Sequence, residues 1–161
     1  MTLDLQPCTS AHAALVASWA RSRHEAVMWC GEGEFPVPAE RVVEWQGDAD
    51  VCGYLLVEED LPVGYGELWL DAEESEVELA RIIIAPAARG QRRGRRLVHQ
   101  LLAEAAKTGW SDVFVRVHPD NDIAVRCYQG VGFGPVDAAL AQEWNALQPV
   151  EYLWLQHRPQ R

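Results

Sequence analysis

An abrupt strand-to-helix junction in the middle of the chain is the feature that most constrains its fold. Four consecutive apolar residues, 82–85, stop at Pro86, and a helix-like segment with an apolar stripe follows over residues 89–108. A continuously apolar run of this kind is typical of a strand that is buried on both faces. Val113–Val117 is the next strand-like segment, and a strand–helix–strand unit of this length forms a right-handed crossover between parallel strands. The junction therefore predicts an α/β fold that contains a parallel pair of strands.

The segments on either side of this junction predict a mixed sheet. Alternating apolar residues predict strands at residues 1–7, 51–58, 63–70, 76–85, 133–136 and 150–156. Helical spacing predicts helices at residues 10–23, 39–45 and 121–130, and the glycines and prolines of residues 24–38 predict a loop or a broken helix. No repeat or linker interrupts the chain, so we expect one domain over residues 1–161, with N-terminal helices at about 10–47 and a core at about 51–136.

The composition argues against several classes of protein. A net charge of −10 disfavours general affinity for nucleic acid or for anionic membranes. No apolar run approaches the roughly 20 residues that cross a bilayer, and residues 1–5 lack the start of a secretory signal. The cysteines and histidines are scattered rather than spaced for a metal. We therefore expect a cytoplasmic protein, a monomer or homodimer, with no metal and with no nucleic acid or membrane as partner.

An arginine-rich helix start stands out against this acidic background. Five arginines lie between Arg89 and Arg96, and positive side chains at a helix N-terminus oppose the helix dipole unless an anion compensates them. Gly90 and Gly94 permit a close approach of the backbone, and the first-turn amides of a helix point outward. The segment suits a pyrophosphate, and a solvated helix face is the alternative. It matches neither the GxGxxG fingerprint nor the phosphate-binding loop that ends in Gly-Lys-Ser/Thr.

A second segment about thirty residues further on places a phenol on a short helix. It reads Asn121-x-x-Ala124-x-x-x-Tyr128-x-x-x-Gly132-Phe133, where the asparagine suits a helix N-cap and the glycine a helix end. A tyrosine hydroxyl keeps its proton at neutral pH and can donate it to a leaving group. A tyrosine that only packs in the core is the alternative.

Together, the two segments resemble motifs A and B of the GNAT N-acetyltransferase superfamily. Motif A reads Arg/Gln-x-x-Gly-x-Gly/Ala, in which Arg89 and Gly94 match and Arg92 stands where the first glycine is usual. Motif B, Asn-x-x-Ala-x-x-x-Tyr-x-x-x-Gly-Phe, matches at every position, and the resemblance runs from about residue 51 to residue 133. It implies a mixed, mostly antiparallel sheet with a central splayed parallel strand pair, flanked by helices. The N-terminal helices would lie on the acceptor side of an acetyl-CoA-binding core.

The resemblance also implies a reaction and a set of site residues. A primary amine of a small molecule or a peptide would attack acetyl-CoA directly in a ternary complex, and no motif identifies that acceptor. Tyr128 would protonate the departing CoA thiolate, and Asn121 would contact the cofactor near its thiol end. The pantetheine arm would pair with the backbone of three strand residues, Ile82, Ile83 and Ile84. The pyrophosphate would bind the loop Arg89, Gly90, Gln91, Arg92, Arg93, Gly94 and Arg95.

The general base stays open at this point. Some members of the superfamily carry a glutamate on the strand before motif B, where this chain has Arg116. Glu67 and Glu78 could be cross-strand neighbours, and a buried pair of carboxylates would raise the pKa of one of them. The alternatives are His118, whose side chain readily exchanges protons near neutral pH, and a water relay.

Two functions of another class compete with catalysis. Arg116 in place of the glutamate is compatible with a non-catalytic module that binds or senses acyl-CoA. An RNA-binding adaptor that uses the arginine cluster is disfavoured by the net charge of −10.

Overall fold

A seven-stranded sheet with the strand order β1-β2-β3-β4-β5-β7-β6 forms the centre of the molecule. The computed structural model describes residues 2–158, and the part of the first predicted strand at Met1 lies outside them. The strands are β1 (Leu3–Pro7), β2 (Val51–Glu58), β3 (Leu61–Asp71), β4 (Glu76–Ile84), β5 (Asp112–Val117), β6 (Phe133–Pro135) and β7 (Leu153–His157). Only β4 and β5 pair in parallel within this part of the chain. The predicted fold class is confirmed.

Helices cover both faces of the sheet. They are α1 (Ala13–Ala17), α2 (Arg23–Cys30), α3 (Ala39–Gln46), α4 (Arg93–Ala106), α5 (Asp122–Val131) and α6 (Ala138–Asn145). Successive strand residues point to opposite faces, so β3 sends Leu68 into the core under α4 and α5 and Tyr65 into the core under α1–α3. Helix α6 covers Phe114 and Trp154. None of the helices within residues 2–158 is both long and apolar enough to cross a membrane.

Three helices differ from the sequence prediction. Residues 24–38 were expected to form a loop or a broken helix, and their first part belongs instead to the regular helix α2, where the Ser22 hydroxyl accepts the Glu25 N–H at 3.1 Å. Gly31, with φ +76°, ends that helix in the left-handed conformation. The helix expected over residues 10–23 is instead a 3₁₀ turn followed by the short α1, and α6 was not predicted at all.

A β-bulge in β4 shapes the centre of the sheet. Tyr65 pairs with Ile83 and Glu67 pairs with Ala80, so two residues of β4, Arg81 and Ile82, lie opposite one residue of β3. Parallel pairing of β4 with β5 runs from Glu76↔Asp112 to Leu79↔Val115 and stops there. The two strands therefore separate beyond the bulge, as the resemblance implies, and leave an opening beside residues 82–84.

Candidate active site

Three elements meet where β4 and β5 separate. A Cβ built on Gly94, in the first turn of α4, would lie 4.0 Å from Cγ1 of Ile84 at the end of β4. The same Cβ would lie 3.6 Å from Sγ of Cys127 on α5. The strand end, the arginine-rich loop and the tyrosine helix, which were predicted separately, thus converge on one place.

Tyr128 is the most deeply buried polar side chain of α5. It is 7% exposed and packs edge-on against Phe133, with ring centroids 5.7 Å apart. Burial raises the pKa of its phenol well above the ordinary value, so the hydroxyl keeps its proton. No group within residues 2–158 forms a hydrogen bond with that hydroxyl, which leaves it free to donate.

The arginine-rich loop has two left-handed residues before α4 begins. Gly90 has φ +81° and open space around its Cα, and Arg92, the N-cap of α4, has φ +60°. Arg92 therefore adopts the backbone conformation for which glycine is favoured at this position of motif A. Its side chain is exposed, and the amides of the first turn of α4 follow it directly.

Two arginines of the loop bind the protein itself. Arg89 donates from Nη1 to Glu25 at 2.8 Å, from Nη2 to the Trp19 carbonyl at 2.9 Å and from Nε to the Ile84 carbonyl at 3.0 Å. Arg93 forms a forked pair with Glu58 at 2.8 and 3.0 Å. The expectation that these two side chains hold the pyrophosphate is therefore not matched by their positions.

Both carboxylates in these two ion pairs have a lowered pKa. The hydrogen bond from Arg93 is the largest cause that lowers the pKa of Glu58. Burial tends to raise the pKa of Glu25, and the hydrogen bond and charge of Arg89 outweigh it, so that the net shift is downward. Arg92 and Arg95 stay exposed, and they are the loop cations whose charge these carboxylates do not neutralise.

Glu67 is completely buried and fully engaged. Its oxygens accept hydrogen bonds from the Tyr65 hydroxyl, from Trp69 Nε1 at 2.8 Å and from Arg81 Nη1 at 2.9 Å. Glu67 and Glu78 are not directly opposite each other, because the register that starts at the β3–β4 turn places Glu67 opposite Ala80 and Glu78 opposite Trp69. With 0% exposure, the Glu67 carboxylate has no open path to an amine.

Glu78 is bound by the arginine that replaces the glutamate of the superfamily. Arg116 donates from Nε and Nη2 to its two oxygens at 2.7 and 2.9 Å. The guanidinium also lies 4.6 Å from the Trp154 ring centroid and 5.4 Å from that of Trp69. Glu78 nevertheless keeps 16% of its side chain exposed, so part of this carboxylate faces solvent.

That exposed part of Glu78 borders a cavity of about 410 Å³. Four aromatic side chains line it, and its other carboxylates are Asp71 and Glu76. Burial first, and then the neighbouring carboxylates, raise the pKa of Glu76. The aromatic side chains are Trp69, Phe114, Trp144 and Trp154. This cavity could not be predicted from the sequence, because Trp144 lies on the unpredicted α6.

The two remaining candidates lie at the end of β5 and the start of α5. Asn121 is the predicted N-cap, since its Oδ1 accepts the Ala124 N–H at 3.3 Å. His118 is mostly buried, and its Nδ1 accepts the Asp120 N–H at 3.1 Å. Neither contact involves an arginine.

The geometry of this site agrees with a match to known proteins. Residues 16–133 match the family described as the acetyltransferase (GNAT) family. The chain belongs to this family. GNAT membership confirms the predicted class of enzyme, an N-acetyltransferase, and the predicted acyl donor, acetyl-CoA.

Solved structures of other acetyltransferases share the fold. AAC(6')-Ib in complex with ribostamycin and coenzyme A is 16% identical, with a TM-score of 0.77 over 98% of this chain and 93% of that one. The PaiA N-acetyltransferase of Thermoplasma acidophilum with coenzyme A is 16% identical, with a TM-score of 0.72 over 99% and 100%. The spermidine N-acetyltransferase of Vibrio cholerae with CoA and spermine is 19% identical, with a TM-score of 0.72 over 84% and 82%. At these identities, the likeness concerns the fold alone.

Proposed function

We propose that this GNAT enzyme transfers the acetyl group of acetyl-CoA to a primary amine that attacks the thioester directly. The observation that carries the proposal is the meeting of the separated end of β4, the first turn of α4 and the tyrosine helix around Gly94. A thioester bound there would have backbone groups on one side and a buried phenol nearby. Holding donor and acceptor together removes much of the entropic barrier to attack.

The donor half of the reaction would rest mainly on the backbone. Among the described residues, Ile82, Ile83 and Ile84 have no partner on β5, so their peptide groups on that side are available to the pantetheine arm, except the Ile84 carbonyl, which accepts Arg89 Nε. The first-turn amides of α4, at Arg93, Gly94 and Arg95, would bind the pyrophosphate. Gly90, Gln91 and the exposed Arg92 and Arg95 would complete that loop, while Arg89 and the Arg93 side chain hold it in place. Asn121 would contact the thiol end.

Tyr128 would act as the general acid. The thiolate of CoA is the leaving group, and a proton donor stabilises it as the bond to the acetyl carbon breaks. The raised pKa of this buried phenol keeps the proton in place until that moment. We expect Tyr128→Phe to lower kcat by about 100-fold or more with the affinity for CoA unchanged.

Glu78 would accept the proton of the amine, directly or through water. It is the predicted carboxylate with an exposed part, and it borders the cavity. Arg116 occupies one side of both oxygens, and each carboxylate oxygen has a further lone pair. Glu67 lacks such access and would instead support the strands around it.

The acceptor would be an amine that carries a second positive charge. The cavity combines aromatic rings, which attract cations over their faces, with the carboxylates of Asp71, Glu76 and Glu78. No lysine or arginine lines it. Glu76 and Glu78 are two positions apart on β4, or about 7 Å in an extended strand. The second charge would therefore lie beside Asp71 and Glu76 while the reacting amine lies near Glu78, and the acceptor would be elongated.

A screen of paired acceptors tests this function through the release of CoA thiol. Each monoamine is compared with a diamine of the same carbon length, and Tyr128→Phe serves as the catalytic control. We expect acetylation of amines, with a higher kcat/KM for long diamines than for their monoamine partners. Equal kcat/KM values for both members of every pair would contradict the prediction that the acceptor carries a second positive charge. Thiol release undiminished in Tyr128→Phe would contradict the acid role.

The competing function is a non-catalytic acyl-CoA-binding module. Arg116 is compatible with this alternative because it stands where some members of the superfamily carry a glutamate. Its charge is nevertheless neutralised by Glu78. Calorimetric binding of CoA together with no turnover across the acceptor screen would favour this alternative.

A further inference from the structure

Arg81 forms the bulge that separates β4 from β5. Its φ of +48° lies in the left-handed region, which side-chain-bearing residues rarely occupy and which persists only where the surroundings hold it. The residue lies between the last parallel pair, Leu79↔Val115, and the free backbone of residues 82–84. The direction in which β4 leaves the sheet therefore depends on the conformation of Arg81.

Helix α2 holds the backbone of the bulge. Trp29 Nε1 donates to the Arg81 carbonyl at 2.8 Å. Trp29 is itself fixed, because it is 6% exposed and packs edge-on against Trp45 and Tyr65 at 5.2 and 6.3 Å. The carbonyl that the bulge removes from the regular ladder is thus satisfied by a side chain from the N-terminal part of the chain.

Helix α3 and strand β3 hold the side chain of the bulge residue. The Arg81 guanidinium lies 4.1 Å from the Trp45 ring centroid and 4.8 Å from that of Trp69. Its Nη1 donates to the buried Glu67 at 2.9 Å. Within residues 2–158, its buried Nε has no hydrogen-bond partner, so the side chain does not lie where all of its donors are satisfied. Stacking and the ion pair determine its position instead.

We propose that Arg81 is a positioning residue, and that Trp29, Trp45 and Glu67 hold it so that residues 82–84 face the pantetheine arm. The proposal rests on the proposed function, in which that backbone binds acetyl-CoA. It also assigns a second task to α2 and α3, which lie on the acceptor side. These helices would keep the donor strand in its binding conformation.

Two substitutions remove the restraint in different ways. Arg81→Gly removes the guanidinium but leaves a residue that adopts φ +48° without strain, so the bulge stays accessible and is no longer held. Trp29→Phe removes one hydrogen bond to the bulge carbonyl and keeps an aromatic ring in place. Thr108→Val is the control, because it loses a hydrogen bond of similar length, from the Thr108 hydroxyl to the Ala105 carbonyl at 2.7 Å, at the end of α4 that lies away from the site.

The measurement is the Kd for CoA by calorimetry, with thermal unfolding followed in parallel. We expect the Kd to rise about fivefold in Trp29→Phe, the size that corresponds to one hydrogen bond, and about tenfold or more in Arg81→Gly. The Kd should not change in Thr108→Val. In steady-state assays the KM for acetyl-CoA should rise similarly, because a reduced folded fraction alone lowers the apparent kcat and leaves the KM unchanged.

If Arg81→Gly and Trp29→Phe lose thermal stability without any change in the Kd for CoA, Arg81 only stabilises the fold and the proposal is overturned. Calorimetry needs no acceptor, so the result is independent of whether an amine is turned over. A wild-type protein that binds CoA but acetylates nothing would contradict the proposed function and still allow this test.

Discussion

At the scale of single residues, the two candidate carboxylates differ in access rather than in chemistry. Both are bound by an arginine, yet Glu67 is 0% exposed and Glu78 keeps 16% of its side chain in contact with solvent. Their spacing along the chain predicts neither state, because burial depends on the side chains that surround each carboxylate, such as Tyr65, Trp69 and Arg81 around Glu67. Accessibility therefore supports the proposed proton-accepting role of Glu78 rather than one for Glu67.

High pH should distinguish these roles. In Glu78→Gln the amine must lose its proton in solution, so we expect kcat/KM to fall about 10- to 100-fold near pH 7. The deficit should shrink towards pH 10, where more of the amine is already neutral. Glu67→Gln is the matched control, whose deficit should not depend on pH. The rates are measured by thiol release from pH 6.5 to pH 10. A constant deficit in Glu78→Gln would exclude its role as a base.

Arg92 offers a test of backbone strain at the start of α4. Its φ is +60°, and left-handed backbone costs about 1–2 kcal/mol for residues other than glycine. Glycine also loses more freedom on folding. We expect Arg92→Gly to raise the free energy of unfolding by about 0.5–1 kcal/mol.

Arg96 supplies the control for this substitution, because it follows in the first turn of α4 with helical geometry. Arg96→Gly should lower the free energy of unfolding by about 1 kcal/mol. Chemical denaturation measures both variants, and a loss of stability in Arg92→Gly would contradict the strain argument.

At the scale of elements, close contact between β3 and α4 depends on two glycines of β3, Gly64 and Gly66, of which Gly66 has the closer neighbour. A Cβ on Gly66 would lie 2.7 Å from Cδ1 of Leu101 and 3.2 Å from Cγ1 of Ile82. Leu101 is fully buried, so it cannot move aside without disturbing its neighbours. The absence of a side chain at Gly66 therefore sets the separation of sheet and helix beneath the bulge.

Gly66→Ala should lower the free energy of unfolding by about 1–3 kcal/mol. Gly134→Ala is the matched control, because a Cβ there would meet nothing within 4 Å, and it should change stability by less than about 0.5 kcal/mol. Urea denaturation measures both. Equal effects of the two substitutions would show that the spacing between sheet and helix tolerates a methyl group.

At the scale of the whole molecule, two ion pairs connect distant parts of the chain around the arginine-rich loop. Arg89 joins it to α2 through Glu25, and Arg93 joins it to the end of β2 through Glu58. Both carboxylates have a lowered pKa in the folded protein. Their contribution to stability is therefore present above the ordinary carboxylate pKa, about 4.3, and is lost as the pH falls through the lowered values.

We accordingly expect the difference in melting temperature between the wild type and Glu58→Gln to become smaller at acidic pH. The wild type should be the more stable protein at pH 7, and the two melting temperatures should approach each other below about pH 4. Thermal unfolding between pH 3 and pH 7 measures this difference. A gap that stays constant over the whole range would show that the Glu58–Arg93 pair contributes no pH-dependent stability.

Local chemistry accounts for most of what the sequence predicted. The N-cap at Asn121, the glycine end of α5 and the strand–helix–strand unit around residues 76–117 depend on neighbouring residues, and all are present. The features that could not be predicted depend on contacts between residues that are far apart in the chain. Glu25 and Arg89 are 64 positions apart, and Trp29 and Arg81 are 52 apart, so neither contact has a local signal. The cavity beside α6 likewise has no local signal in the sequence.

The two neutralised arginines also bear on how the enzyme first meets its cofactor. CoA is a polyanion, and the protein carries a net charge of −10, while Glu25 and Glu58 reduce the positive field of the loop that should attract it. Like charges repel over distances comparable with the Debye length, and dissolved salt shortens that length. Encounter by diffusion should therefore become faster, not slower, as ionic strength rises. The loop would capture a phosphate at close range without steering it from afar.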